Sequence, residues 1–234
     1  LDGDLLWKSF NPDLWDLAAE ELKGNSEISQ YYGAFMPTID YTSNDPVLPE
    51  LPYFTMLAGN FENIPMMIGI TKDEGGMTLA NKWDNLEQGQ TLWPHIYARH
   101  LYGADVYSIP DTAFYEAEII KRFYIGDNNF TRDQKTGLLE LMTDLQFAGF
   151  AYETAWIQSI WNQTVYMYEL THKPSSSFCN FMFRVKNVAD NEDFGVCHSD
   201  DLLFLFNGIY PEAIRTEDDY KTSKLMVDMW SNFI

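Results

Sequence analysis

Met66-Met67-Ile68-Gly69-Ile70 is a short, nearly all-apolar run, stopped by Pro65 on one side and by Lys72-Asp73-Glu74-Gly75-Gly76 on the other. It reads as a strand buried on both faces that opens directly into a polar turn. A second run of strand length, Val165-Tyr166-Met167-Tyr168-Glu169-Leu170, is β-branched and aromatic and closes on His172, Pro174 and three serines. Between them the period changes. Thr131 with Gln134 forms a candidate capping box, and Leu138, Leu141, Met142 and Leu145 recur at helical spacing, so a helix is expected through Trp161, with Gly149 as a weak point. Near the end, Thr216 is placed to cap a helix with Met226, Met229, Trp230 and Phe233 on one face and Glu217, Asp218 and Asp219 at its N-terminal dipole. Strands separated by helices indicate an α/β sheet, in which reactive groups collect in loops at the carboxyl ends of the strands.

Composition narrows the function. The chain has 234 residues, 46% of them hydrophobic, enough for one sizeable core and too much for a disordered or low-complexity protein. Its formal net charge of −20 repels phosphate backbones and anionic lipid, which excludes nucleic acid as a partner. No apolar run approaches the roughly 18 residues of a membrane helix, and Leu1 to Phe10 has neither the basic start nor the apolar centre of a signal peptide.

Cys179 and Cys197 enclose a stretch rich in Ser, Asn and Asp, a spacing that suits a disulfide across a loop better than a metal site, which would need more ligands nearby. Two buried free thiols are the alternative. The sequons at Asn129 and Asn162 point the same way as a disulfide, to a secreted glycoprotein. Of the four histidines, His95 and His100 stand five apart in a helical stretch, off a common face, and read as surface or half-buried residues. His172 reads as a solvated loop residue. His198 differs, because it follows Gly195-Val196-Cys197 and leads through Ser199-Asp200-Asp201 into the apolar run Leu202 to Phe206. An imidazole on such a turn has the defined orientation that a general base needs. Glu74 alone fits an ordinary turn, yet a carboxylate is the group that fixes an imidazole's tautomer and stabilises the imidazolium in acyl transfer.

Three segments, Lys72-Asp73-Glu74-Gly75 after an apolar strand, Gly195 to Leu202 with His198 at its centre, and Met229-Trp230-Ser231-Asn232-Phe233 at the end, resemble type-B carboxylesterases. These are the α/β-hydrolases that include cholinesterases, juvenile hormone esterases and bile-salt-activated lipases. The resemblance runs with gaps from about Phe35 to Ile234. It implies a mostly parallel sheet flanked by helices, with residues 1–234 forming the C-terminal part of one α/β-hydrolase domain. It also implies Glu74 as the acid and His198 as the base of a triad, Asp201 behind them, Asp144 as a structural carboxylate, and chemistry that needs no metal or cofactor.

The nucleophile is missing. The family order is Ser, then acid, then His, with Ser in a Gly-x-Ser-x-Gly elbow. No such pentapeptide exists here; Gly24-Asn25-Ser26-Glu27-Ile28 lacks the closing Gly and stands too close to Glu74, so Ser26 is not the nucleophile. The expected partner is therefore the N-terminal half of the same hydrolase, on the same precursor or as a separate, cleaved chain, and the expected substrate a small ester or lipid ester. A catalytically silent, adhesive or storage relative in the manner of neuroligins and glutactin is the competing expectation, and a carrier with an aromatic gorge a third.

Overall fold

The computed structural model describes residues 39–40, 42–102, 111–180, 192–206 and 215–234. Ser26 and the start of the family resemblance at Phe35 lie outside them, as does the side chain of His100. The chain divides into two compact units, Leu1–Phe61 and Glu62–Ile234. In the first, helix α1 (Pro52–Leu57) starts where Pro52 supplies a helical φ and needs no N–H partner, with Leu51 extended before it.

The second unit holds β1 (Met66–Thr71) and β2 (Val165–Leu170), which pair in parallel from Met66↔Val165 to Thr71↔Leu170. A parallel pair needs a long crossover, and here it is helical: α2 (Gly76–Lys82), α3 (Leu86–Tyr102), α4 (Asp111–Ile125), a 3-10 turn (Arg132–Gln134), α5 (Lys135–Thr143), a π turn (Asp144–Ala148) and α6 (Gly149–Ile160). After β2 come the short α7 (Leu202–Leu205) and the terminal α8 (Glu217–Phe233).

Alternate strand residues point to opposite faces, and each face has its own helix. Ile68 and Ile70 pack on Ala148 and Ala151, so the end of the π turn and α6 cover one side. Leu170 and Tyr168 pack with Val196, Phe204, Met226 and Trp230, so α7 and α8 cover the other. Full burial of Leu170, Phe204 and Met226 stabilises the fold by about 1.5–3 kcal/mol each. The larger core lies among the crossover helices, where Trp93, Leu138 and Leu141 are fully buried and the Trp93 indole donates to the Ala117 carbonyl at 2.7 Å.

Two local expectations change. Thr131 starts a 3-10 turn and makes no side-chain cap, because the first turn closes with i→i+3 backbone bonds instead. The helix runs through Gly149 to Ile160, as expected. The strands are less buried than their composition suggests: only Ile70 and Thr71 of β1 and Leu170 of β2 are buried, while Tyr166 and Met167 are exposed, because among the described residues each strand has one neighbour. The capping box of α8 is present in full, with Thr216 and Asp219 exchanging bonds.

Candidate active site

The strands deliver two segments to one corner. β1 ends at Thr71, and the chain turns through Lys72 to Gly75 into α2. The loop holding His198 is joined to that turn like a further piece of parallel sheet: Asp73 N–H donates to the Val196 carbonyl at 3.0 Å, and Val196 N–H donates to the Asp73 carboxylate at 2.8 Å. Gly75 and Gly76 serve this corner by thinness rather than by unusual dihedrals. Gly75 has φ −63°, but a Cβ on it would lie 2.5 Å from the Met142 side chain, and one on Gly76 would lie 2.6 Å from the Phe194 carbonyl.

Glu74 and His198, 124 residues apart in sequence, meet here. Glu74 Oε2 lies 2.7 Å from His198 Nδ1, and Glu74 Oε1 accepts the Thr71 N–H at 2.8 Å. The carboxylate side chain is 8% exposed and the imidazole 35%. Burial with two donors fits an acid that is paired rather than solvated. On the ring's flank lies Phe147, with centroids 4.6 Å and planes 33° apart. No hydrogen bond engages His198 Nε2 among the described residues, so the nitrogen opposite the acid is available to a reacting group.

Asp201 caps α7, accepting the Leu202 N–H at 3.0 Å, and its other oxygen accepts the Tyr168 phenol at 3.3 Å. Burial and the neighbouring charge of Glu74 push its carboxyl upward, and burial, with the charge of Asp201, pushes the Tyr168 phenol upward as well. Cys179 and Cys197 form a disulfide with Cα atoms 5.9 Å apart, immediately before the histidine. Asp200, which sequence reasoning did not single out, is fully buried under this bridge. It accepts from Cys197 N–H (2.8 Å), Phe178 N–H (2.6 Å) and the Ser177 hydroxyl (2.9 Å), so one carboxylate holds both ends of the disulfide. Burial pushes it up to about 6 against the pull of those donors. Its sequence signal, an Asp two residues after the His, is indistinguishable from a solvated loop acid.

The remaining candidates fall elsewhere. Asn129 and Asn162 are exposed, Asn162 in the left-handed region that follows α6. His95 is half-buried, edge-on to Phe114. His172 is not a solvated loop residue: it stacks near Phe204 and bonds Asp219 at 2.9 Å, because α8 packs its first turn over the end of β2. Asp144 opens the π turn and accepts the Tyr124 hydroxyl at 2.6 Å. Among the described residues no group of His, Cys, Asp and Glu is arranged to hold a metal, and no helix is long and apolar enough to cross a membrane.

Known proteins are similar to this chain in sequence and in fold. Juvenile hormone esterase of Tribolium castaneum is 29% identical over 205 residues, 81% of this chain and 33% of that protein. Esterase E4 of Myzus persicae is 26% identical over 86% of this chain and 36% of its own length. The crystal structure of juvenile hormone esterase from Manduca sexta, with OTFP covalently attached, superposes with a TM-score of 0.66 at 21% identity, over 88% of this chain and 38% of that one. The fold is thus part of an α/β-hydrolase, and the chain spans about a third of the length of the relatives it matches. With the carboxylesterase family model matched over residues 13–234, the chain belongs to the carboxylesterase family.

Proposed function

We propose that this chain supplies the acid and the base of a serine carboxylic-ester hydrolase, Glu74 and His198, and that the nucleophilic serine stands on the amino-terminal part of the same hydrolase. The observation that carries the reading is the pairing of His198 Nδ1 with a buried carboxylate at 2.7 Å while Nε2 has no partner among the described residues. With Nδ1–H donated to Glu74, Nε2 is the basic nitrogen. It takes the serine proton as the serine oxygen attacks the ester carbonyl, then gives that proton to the departing alcohol, leaving an acyl-enzyme. Water repeats the cycle: its proton goes to Nε2, its oxygen to the acyl carbon, and the carboxylic acid leaves as the serine recovers its proton. Glu74 keeps its charge throughout and stabilises the imidazolium. Asp201, behind the pair, is assigned to holding the loop and shaping the field around the imidazolium.

The substrate class is a small ester or lipid ester. The disulfide and the exposed Asn129 and Asn162 support a secreted, glycosylated protein, since such bridges persist in oxidising compartments. The test uses the full-length protein with p-nitrophenyl acetate. Hydrolysis that falls at least about 10⁴-fold in His198→Ala supports the reading, and turnover by that variant at the native rate overturns it. A full-length protein that folds but neither hydrolyses the ester nor reacts with a fluorophosphonate overturns it too.

A further inference from the structure

One helical turn touches His198 and, through the residue just before it, the turn that carries Glu74. α5, the π turn and α6 form a continuous rod from Lys135 to Ile160. Through Leu145 its buried apolar residues, Leu138, Leu141, Met142 and Leu145, belong to the crossover-helix core; Ala148 and Ala151 pack instead on Ile68 and Ile70 of β1. A π turn closes its bonds one residue later than an α turn, and that extra residue rotates all that follows by about 100°. The change of partner and the change of winding coincide. Gly149 leaves room for it, since a Cβ there would lie 2.9 Å from the Asp144 carbonyl oxygen.

The side chains leaving this turn and its first flank converge on the site. Thr143 Oγ1 accepts the Gly75 N–H at 3.0 Å, one residue from Glu74. Gln146 Oε1 accepts the Thr78 hydroxyl at 2.7 Å, on the first turn of α2. Phe147 lies against the imidazole face at a centroid distance of 4.6 Å. Outside, Tyr124 ties Asp144 at 2.6 Å, so the turn is gripped from both sides.

We propose that the π turn Asp144–Ala148, with Thr143 before it, is the positioning element of the Glu74–His198 pair: Phe147 fixes the imidazole plane and Thr143 fixes the turn that carries the acid. A single hydrogen bond at Nδ1 sets one direction in the ring but leaves it free to tilt about that bond, and a half-exposed imidazole has little else to stop it. A flat side chain packed on the ring supplies the missing constraint. Nε2 is thereby aimed before the substrate arrives, which is the preorganisation general-base catalysis depends on. Phe147 acts through the imidazole it packs on, so its role is positioning.

The catalytic consequence rests on the carboxylesterase reading; the geometric claim does not, and two readouts on the full-length protein separate them. Phe147→Leu keeps an apolar side chain but removes the flat face. It should lower kcat for p-nitrophenyl acetate about tenfold while KM stays within about twofold, and Phe147→Tyr should restore kcat to within about twofold of the native value. The far-downfield proton resonance of the Nδ1–H···Glu74 bond should be sharp in the native protein and in Phe147→Tyr, and broadened or lost in Phe147→Leu. A folded Phe147→Leu protein with an unchanged resonance and a native kcat overturns the proposal. A native protein with the sharp resonance and no esterase activity overturns the carboxylesterase reading alone, and the resonance of the variants then decides the positioning claim. A native protein without the resonance overturns the proposal. Should Phe147→Leu fail to fold, Thr143→Val carries the same test from the acid side, with the same broadening and fall in kcat expected and an unchanged resonance overturning the proposal.

Discussion

The corner after β1 and the corner after β2 are built from the same parts. Each holds a histidine whose side chain is 35% exposed and a carboxylate that is nearly buried, 8% for Glu74 and 3% for Asp219. The pairs close at 2.7 and 2.9 Å, and each imidazole lies near a phenylalanine, Phe147 or Phe204. What differs is what the other atoms do. Asp219 spends its oxygens on the Ser175 and Thr216 N–H groups and the Thr216 hydroxyl, so it is a helix cap that also holds a histidine. His172 reaches it through Nε2. Glu74 instead has one backbone donor besides His198, and His198 bonds through Nδ1, with no partner on the outer nitrogen among the described residues. The two pairs share a distance and a carboxylate and differ in which imidazole nitrogen meets the acid.

That difference is broken or sharpened by exchanging carboxylates for amides at both corners. In the full-length protein, Glu74→Gln should keep the fold and lower kcat by roughly 10⁴-fold, since the amide offers the wrong partner to Nδ1–H and no charge to the imidazolium. Asp219→Asn should leave kcat within about twofold. Equal losses at both corners, measured by steady-state ester hydrolysis, would show that the second pair takes part in the chemistry. The next largest effect separates the corners by covalent support. The first is anchored by the disulfide and by Asp200 beneath it; the second has no bridge. A bridge closing 18 residues is worth about 3 kcal/mol on the chain-entropy model, so Cys179→Ser with Cys197→Ser should lower stability in urea by about that much. Activity should fall with it, because the bridge ends one residue before His198. A variant equally stable and active would leave Asp200 and the Asp73–Val196 bonds as the real anchor.

How much of this was legible in the residues follows from what kind of signal each carries. The ends of the strands were legible because an apolar run meeting an acidic Gly turn changes chemistry within two residues. Glu74 and His198 were legible together through a family pattern, though neither was decisive alone. Phe147 was not, because a Phe in a helical stretch reads as core, and the π turn that swings it toward His198 leaves no mark in hydrophobic spacing: the expected helix is there, wound differently for five residues. Asp219 reads as an acid complementing a helix dipole, which it is, but the first turn's bonds to Ser175 and His172, just after β2, leave it buried and partner to His172. Exposure of Tyr166 and Met167 was illegible for a similar reason: strand composition reports what can be buried, not what lies next to it.

The smallest expected effect belongs to the second corner, and it has a sign. Burial by itself would raise the Asp219 carboxyl, but the Ser175, Thr216 and His172 donors outweigh it and hold the group well below the ordinary carboxylate range. A carboxylate depressed in the folded state contributes stability above its unfolded value of about 3.9, and loses it as pH falls through the folded value. Asp219→Asn keeps one acceptor and forfeits the charge, so it should cost about 1–2 kcal/mol in urea unfolding at neutral pH. The gap between native and variant should narrow as the pH drops below about 4, because the native protein is then losing the advantage that the variant never had. A gap of constant size from neutral to acid would mean that Asp219 caps α8 as a neutral acceptor would, its charge contributing nothing. A gap that widens toward acid would reverse the assignment and make the buried charge a cost that protonation relieves.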